Sequence, residues 1–251
     1  MSGHNKWSSI KHKKGAADAK RSKVFTKVIK EITVAARMGG EDPNANPRLR
    51  SAIALAKSVN MPNDNVTKAI KKGAGGDKGE NWETIVYEGY GPHNVAVIVE
   101  CLTDNKNRTI SNIRTIFGKN AGNIGATNSV MYMFDRKGLI EIEKDKIDEE
   151  ALTDHALEAG ADDIDSSPEE VYLVETDPSA LGDAHKYLED QGIEIKTSAI
   201  DLIPQNRIEI TDVSKAQQVI RFIEALEDDD DVQKVFSNFD INDDVLQQLN
   251  A

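Results

Sequence analysis

The chain has 251 residues, a formal net charge of −12 at pH 7 and 39% apolar residues, which together allow two or three small packed domains. Its single cysteine, Cys101, excludes an intramolecular disulfide and a cluster of metal-binding thiolates. The longest purely apolar run, Val95 to Val99, is far shorter than a membrane span, and no apolar segment follows the basic N-terminus, so we expect a cytoplasmic protein with no membrane contact.

The charge is divided between two parts of the chain. Residues 1–76 carry a net charge of +11, whereas residues 77–251 carry −23. Segregation on this scale is typical of a module that binds a polyanion and is joined to acidic domains. We therefore expect nucleic acid, either DNA or ribosomal RNA, as the partner of the N-terminal part.

The first 76 residues predict an N-terminal arm and a bundle of three helices. Residues 1–14 show no periodicity, so we expect this arm to be disordered until it meets a partner. Helical periodicity and start signals, such as Asn46-Pro47 before the second helix, predict the bundle. The predicted helices cover about residues 16–39, 47–59 and 63–73, the third being shorter than the second. A glycine-rich linker, "GAGGDKG", follows.

Residues 79–251 predict strands and short helices. Strands are expected at about 84–91, 94–102, 129–134, 139–142, 171–175, 193–202 and 232–239. Helices are expected at 147–159, 179–191 and 213–226, and one more begins at Asn107 or Thr109 and runs to Phe117. The last helix and strand are too short for a separate domain, so we expect them to complete the sheet that begins near Ile85. Residues 136–203 would then form a domain inserted between residues 79–135 and 204–251. The predicted fold class is α+β, with an N-terminal three-helix bundle (1–76) followed by two small α+β sandwich domains, one inserted in the other.

A basic surface is the strongest functional signal. Its candidate nucleic-acid-binding residues are Lys6, Trp7, Lys11, His12, Lys13, Lys14, Lys20, Arg21, Lys23, Lys27, Lys30, Arg48, Arg50, Lys68, Lys71 and Lys72. Lysine and arginine neutralise phosphates and release counterions, so binding would depend strongly on salt. The lysines of the first helix lie opposite its apolar arc, whereas Arg21 falls inside that arc. The alternative is that the lysines of the first helix form a solvated face that binds no ligand.

Trp7 lies among these charges, with Ile10 as its only apolar neighbour in the arm. Its indole either stacks on an unpaired base or anchors the arm on the helical bundle. The sequence leaves both interpretations open.

The second and third helices, joined by "NMPN", also allow a helix-turn-helix interpretation. Asn63, Asn65 and Lys68 would then reach base edges. Paired helices are common in bundles, so this pattern does not by itself indicate sequence-specific binding.

The sequence gives no indication of an enzyme, a metal site or a cofactor. Cys101 ends an apolar strand and is expected to pack as a small hydrophobic side chain. The histidines lack metal-ligand spacing, although His4 and His12 in the arm could bind a metal or, more simply, assist phosphate contact. The segment "NAGNIGATNS" contains glycines but does not match the spacing of a phosphate loop.

Several long motifs are shared with a known family. They include "GHNKW" at the start, "GGEDPNANPRLRSAI", "NMPNDNVTKAIKKGAGG", "YEGYGP", "TDNKNRT", "ALEAGADD" and "LEDDDDVQKVF". On these motifs the chain resembles the YebC/PmpR family over essentially its whole length. The resemblance implies three domains, a helical bundle and two α+β units. It also implies a regulator of gene expression, since bacterial members are described as DNA-binding transcriptional regulators and a mitochondrial member is a translational activator.

The sequence departs from the family pattern in one segment. The family has a glycine pair before the position of Asn123 and another glycine near Asn128, where this chain has Ala121-Gly122 and Asn128. Asparagine tolerates left-handed backbone conformations, so we expect the turn to be kept.

The sequence is consistent with three functions. We expect a non-enzymatic, nucleic-acid-binding regulator, and the family description favours a DNA target. The alternative is a ribosome-binding translation factor, because a lysine-rich arm can enter structured RNA by shape, whereas no zipper or clear recognition helix is visible. The further alternative is a protein-interaction scaffold without nucleic acid. In the two functions that involve nucleic acid, the acidic domains would contact the ribosome or another protein, or compete with nucleic acid for the basic arm.

Overall fold

A computed structural model of the chain describes residues 18–75, 82–168 and 170–250. A helical N-terminal region is followed by regions that combine helices with small sheets, so the predicted α+β class is confirmed. The described residues form two compact units, one from residues 18–75, 136–168 and 170–201 and the other from residues 82–135 and 202–250. Among these residues, no helix is both long enough and apolar enough to cross a membrane.

Short strands and helices alternate along the chain after the first three helices. The helices are α1 (Asp18–Gly39), α2 (Pro47–Ser58), α3 (Asn63–Ala74), α4 (Lys106–Lys119), α5 (Glu149–Glu158), α6 (Leu181–Asp190), α7 (Val213–Glu227) and α8 (Asp243–Asn250). The strands are β1 (Glu83–Tyr90), β2 (Ala96–Thr103), β3 (Asn123–Ile124), β4 (Phe134–Glu143), β5 (Asp163–Asp165), β6 (Val171–Thr176), β7 (Thr197–Pro204), β8 (Ile208–Ile210), β9 (Val232–Ser237) and β10 (Phe239–Ile241).

Asn46 determines how α1 connects to α2. Its side chain accepts a hydrogen bond from the backbone N–H of Leu49 at 3.1 Å and so caps α2, which begins with Pro47. Its amide nitrogen donates to the carbonyl oxygens of Ala35 at 2.8 Å and Gly40 at 2.9 Å. One buried side chain therefore holds the end of α1 against the start of α2.

The three N-terminal helices pack around a core of small and medium apolar side chains. It is built from Val28, Ile32, Ala35, Ala36, Leu49, Ala52, Ala56, Met61, Val66 and Ala69. Gly73 lets α3 approach α1 closely, since a Cβ atom at this position would lie 2.3 Å from the carbonyl oxygen of Thr33. Because Gly73 packs inside α3 rather than ending it, α3 has the same 12 residues as α2, and the prediction of a shorter third helix was wrong.

The second unit contains a four-stranded sheet in the order β3-β1-β2-β9. Strands β1 and β2 form an antiparallel hairpin, and the C-terminal strand β9 pairs antiparallel with β2. One face of the sheet packs against α4 and α7, where the rings of Phe117 and Phe222 meet edge to face at 4.9 Å. Cys101 is fully buried in this core, as expected of a small hydrophobic side chain. A short parallel pair, β8 and β10, lies beside the sheet core.

Residues 136–201 contain a four-stranded sheet in the order β5-β6-β4-β7. Helices α5 and α6 contribute to its core, which consists of Ile140, Ile142, Leu152, Ala156, Tyr172, Val174, Ala184 and Leu188. Ile140 and Ile142 of β4 face these helices, and Leu139, which points to the opposite face of the strand, is also buried.

Glu88 explains why the predicted strand at 129–134 was wrong. Its carboxylate is only 4% exposed and accepts backbone N–H groups from Asn128 at 2.7 Å, Val130 at 2.9 Å and Met131 at 2.8 Å. A backbone that donates to one carboxylate curls around it and cannot pair as a strand. The segment is therefore a turn and a short 3-10 helix, and β4 begins only at Phe134.

The turns around β3 carry two residues in the left-handed region. Ala121 has a φ of +55° and Asn128 a φ of +65°. Asparagine adopts this region readily, whereas for alanine it costs about 1 kcal/mol. The turn geometry is kept, as expected, although Ala121 stands where the resemblance implies glycine.

Asp231 connects the start of α4 to two strands. Its carboxylate, 5% exposed, accepts hydrogen bonds from Arg108 Nη2 at 2.8 Å and from the hydroxyls of Thr109 at 2.9 Å and Thr103 at 3.3 Å. Arg108 also donates to Asp104 at 2.8 Å. The hydrogen bonds to Asp231 and then to Asp104 raise the pKa of Arg108. This network fixes the start of α4 relative to the C-terminal end of β2 and the start of β9.

We predict that Asp231→Ala lowers the free energy of unfolding by about 2 kcal/mol, because it removes the acceptor of the buried Thr103 hydroxyl and the buried ion-pair partner of Arg108. Urea denaturation followed by circular dichroism measures this change. Asp190→Ala, at the exposed end of α6, removes a carboxylate without such partners and is expected to stay within about 0.5 kcal/mol of the wild type. Equal effects of the two substitutions would contradict the role of Asp231.

Two helical glycines are predicted to respond oppositely to the same substitution. A Cβ atom at Gly118, inside α4, meets no atom within 4 Å, so Gly118→Ala should stabilise by about 1 kcal/mol through helix propensity. Gly73→Ala should destabilise by roughly 1–3 kcal/mol, since the new methyl group would clash with Thr33 and Ala36. Thermal denaturation of both variants tests this difference in sign.

Candidate nucleic-acid interface

The lysines of α1 do not form one uniformly exposed stripe. Lys23 is exposed, whereas Lys27 and Lys30 are half-buried. Farther along the same side of α1, Val34 is buried to 3% exposure although it points away from the bundle core. The basic side of α1 is therefore open to a ligand near Lys23 and partly covered toward its C-terminal half.

Arg48 is engaged within the bundle. Its guanidinium makes a two-pronged ion pair with Glu31, with distances of 2.6 Å from Nε to Oε1 and 3.0 Å from Nη2 to Oε2. This pair holds α2 against α1 and neutralises the charge of Arg48. We therefore leave Arg48 out of the interface proposed below, whereas Arg50, two residues later in α2, is exposed.

Helix α3 presents the most open group of cations. Lys68, Lys71 and Lys72 are exposed and fall within an arc of about 100°, opposite the buried residues Val66 and Ala69. Within the described part of the chain, none of the three lysines makes an ion pair. Two of them lie in the last turn, where they also interact favourably with the helix dipole.

The C-terminal end of α3 packs against the C-terminal half of α1. Gly73 lies against Thr33 and Ala36, so Lys71 and Lys72, immediately before it, are carried beside that half of α1. Neighbouring cations form a surface that attracts phosphates, and here Asp64, four residues before Lys68 on the same exposed side of α3, offsets part of that charge. Residues 18–75 contain 12 lysines and arginines against 5 carboxylates, and one of those carboxylates is paired with Arg48.

Several predicted residues lie outside the described structure. These are Lys6, Trp7, Lys11, His12, Lys13 and Lys14, together with His4; the side chains of Lys20 and Arg21, within α1, are likewise not described. Their part in binding stays a prediction from the sequence.

The turn between α2 and α3 is well defined. Asn60 has a φ of +55°, Met61 is buried, and Pro62 precedes the first residue of α3. At the start of α3, Asn63 is exposed, whereas Asn65 is half-buried and less available to a base edge. The exposed side of α3 is therefore dominated by lysines, which favour contacts to phosphates.

Arg50 lies within electrostatic range of α6. There, burial lowers the pKa of His185, the nearby charge of Arg50 lowers it further, and Glu189 opposes the shift. The Nδ1 atom of His185 is buried without a hydrogen-bond partner among the described residues. His185 is therefore kept as the neutral imidazole.

This arrangement defines a class of protein in which a lysine-rich helical region is joined to α+β regions that carry most of the acidic residues. Within the described residues, no group of three or more His, Cys, Asp and Glu side chains is placed to hold a metal ion. Exposed lysines are side chains that attract phosphate groups.

The chain matches two family descriptions along most of its length. Residues 5–76 match the TACO1/YebC protein N-terminal domain, and residues 82–239 match the TACO1/YebC second and third domain. "Probable transcriptional regulatory protein DP2908" of Desulfotalea psychrophila is 54% identical over 249 residues, 99% of each chain. "Probable transcriptional regulatory protein GSU1074" of Geobacter sulfurreducens is also 54% identical, covering 99% of this chain and all of the relative.

A solved structure shows the same fold. The crystal structure of the conserved hypothetical protein Aq1575 from Aquifex aeolicus superposes with a TM-score of 0.83 at 47% identity, covering 92% of this chain and 94% of the other. The chain therefore belongs to the TACO1/YebC family, and the resemblance seen in its motifs is confirmed. The two named relatives carry the description "probable transcriptional regulatory protein".

The sequence interpretation did not single out two exposed cations of α4, Arg114 and Lys119. The signal that could have revealed them is the absence of Asp and Glu over residues 105–134, in a part of the chain that is otherwise strongly acidic.

We predict that His185 makes stability depend on pH. Its pKa in the folded chain is lowered, so below about pH 6.5 the unfolded chain binds a proton that the folded chain resists. The free energy of unfolding should therefore fall as the pH falls from 7 to 5. Urea denaturation at several pH values should show a shallower fall for His185→Gln, and also for Arg50→Gln, which removes one cause of the shift. Parallel curves for wild type and His185→Gln would contradict the prediction.

Proposed function

We propose that this protein is a cytoplasmic, non-enzymatic regulator of gene expression that binds nucleic acid through its N-terminal helical region. The observation that supports this most directly is the exposed group Lys68, Lys71 and Lys72 on the side of α3 opposite the core. The names of its relatives agree with a regulatory role. The basic arm predicted from the sequence would extend the same surface.

Affinity in this proposal comes from phosphate contacts rather than from reading base edges. Lysine ends in a compact ammonium group, which neutralises a phosphate without the planar geometry that arginine offers to a base edge. Such a surface recognises the shape and charge of a nucleic acid. The family names favour DNA as the target, whereas the lysine character of α3 suits structured RNA such as ribosomal RNA equally well.

The basic surface can be tested with the triple variant Lys68→Gln, Lys71→Gln and Lys72→Gln. We expect binding to a 20-base-pair DNA duplex or a hairpin RNA of equal length to weaken about tenfold or more. The slope of log K against log salt should fall by about 2 to 3, because each phosphate contact contributes close to one counterion. Fluorescence anisotropy of labelled probes at several salt concentrations measures both quantities, and the probe that the wild type binds more tightly identifies the target class.

A matched control removes three cations elsewhere. Lys186→Gln, Arg207→Gln and Lys215→Gln affect exposed residues outside the helical region, and this variant should bind nearly as tightly as the wild type. If both triple variants lost affinity equally, net charge rather than the α3 surface would be responsible. If the wild type bound neither probe and its complexes in lysate survived complete nuclease digestion, the scaffold alternative would replace this proposal.

A further inference from the structure

A stretch without carboxylates interrupts the acidic part of the chain. Residues 105–134 contain no Asp or Glu, although residues 77–251 contain 38 of them. The stretch forms α4, the edge strand β3 and the turn held by Glu88. A surface without negative charge in such a chain is one that an anion can approach.

Two cations of this stretch make ion pairs with carboxylates of the protein, whereas two others make none within the described residues. Lys106 pairs with Glu83 at 2.5 Å, and Arg108 pairs with Asp231. Arg114 and Lys119, in contrast, are exposed, and within the described residues neither makes an ion pair. These two charges are therefore available to a ligand.

Neutral and small residues lie between the two cations on the outer face of α4. Ser111, Thr115 and Gly118 share with Arg114 and Lys119 an arc of about 140°, turned away from the buried side chains of α4. Serine and threonine hydroxyls, like arginine and lysine, are common partners of phosphate oxygens. The face combines positive charge with groups that let a chain of phosphates lie close to the helix.

Gly118 has no structural reason to be a glycine. It lies inside α4, its φ is not in the left-handed region, and a Cβ atom there would meet no atom within 4 Å. Glycine at such a position destabilises a helix relative to alanine. Because glycine has no side chain, a partner has room to lie directly on the helix at this position.

The acidic turn after α7 limits the face at one end. Asp229 accepts a hydrogen bond from Asn112 at 3.1 Å, so carboxylates border the N-terminal half of α4. They would repel phosphates there and leave the half that contains Arg114 and Lys119 as the favourable side.

From these observations we propose that the outer face of α4, around Arg114, Gly118 and Lys119, is a second contact for the sugar-phosphate backbone of nucleic acid. The proposal rests on the proposed function, because it adds a contact to the same ligand. It assigns nucleic-acid binding to a region outside the N-terminal helices, where the net charge of −23 would not lead one to look for it.

The double variant Arg114→Gln and Lys119→Gln of the full chain tests this contact with the same DNA and RNA probes. We expect binding to weaken about three- to tenfold and the salt slope to fall by about 2. The control, Lys186→Gln with Arg207→Gln, also removes two exposed cations and should leave both quantities close to those of the wild type. A double variant that bound like this control would overturn the proposal.

A second variant separates surface contact from stability. Gly118→Gln fills the space above the helix without a clash and should melt at or above the wild-type temperature, yet it should bind more weakly. Gly182→Gln in α6 is the matched control, since its Cβ atom also meets no atom within 4 Å, and it should bind normally. Unchanged affinity of Gly118→Gln would show that nothing lies on this part of α4.

The outcomes distinguish failure of this inference from failure of the proposed function. If the α3 variant weakened binding and the α4 variants did not, only the second contact would be wrong. If the wild type bound neither probe, the proposed function would fail first. If nuclease-treated lysate yielded an acidic protein whose capture depended on Arg114 and Lys119, a protein partner would replace nucleic acid at this face.

Discussion

The placement of carboxylates relative to cations is the constraint on which the surfaces of this protein depend. Where a carboxylate lies beside a cation, it holds one element against another, as Glu31 does with Arg48 and Asp231 with Arg108. A partly exposed ion pair such as Glu31–Arg48 contributes little stability, about 0–1 kcal/mol. The main effect of such pairs is to engage particular cations within the fold, whereas the lysines of α3 and the cations Arg114 and Lys119 of α4 make no ion pair within the described residues.

Two nearly buried carboxylates act differently from these surface pairs. Glu88 and Asp231 are satisfied almost entirely by donors of the protein, three backbone N–H groups in the first case and a guanidinium with two hydroxyls in the second. A buried carboxylate is tolerated only with such partners. Each one therefore fixes its surroundings: Glu88 curls the segment after β3, and Asp231 sets the start of α4. The cations of α4 are carried on a helix whose position is determined by a buried network.

The sequence predicted the features that depend on local pattern and missed those that depend on distant partners. Periodicity placed α7 at 213–226, one residue short of the observed end, and the Asn46-Pro47 pair placed the start of α2. Strands of two or three residues, such as β3 and β5, carry too few residues to show a period. The segment 129–134 was misread because its apolar residues suit a strand, whereas the group that bends it, Glu88, lies about forty residues earlier.

The candidate interface shows the same difference between features that depend on local pattern and features that depend on distant partners. Counting charges located the basic region, because charge segregation needs no knowledge of the fold. The count could not show that Glu31, 17 residues before Arg48, neutralises that arginine, or that Lys27 and Lys30 are half-buried. It also averaged over the acid-free stretch of 105–134, whose two available cations emerge only when the ion pairs of Lys106 and Arg108 are known.

Charge segregation also bears on how an acidic protein can bind a polyanion. At physiological ionic strength, charges are screened beyond about 8 Å, so the acidic regions oppose binding only where they come that close to a phosphate. Approach through the basic face is therefore attractive despite the net charge of −12, whereas approach through the acidic surface is repelled. A uniformly basic protein would bind nucleic acid in many orientations. In the proposed function, the acidic regions would restrict this protein to orientations that present its lysines to the ligand, so the charges that lower the overall affinity would give binding a direction.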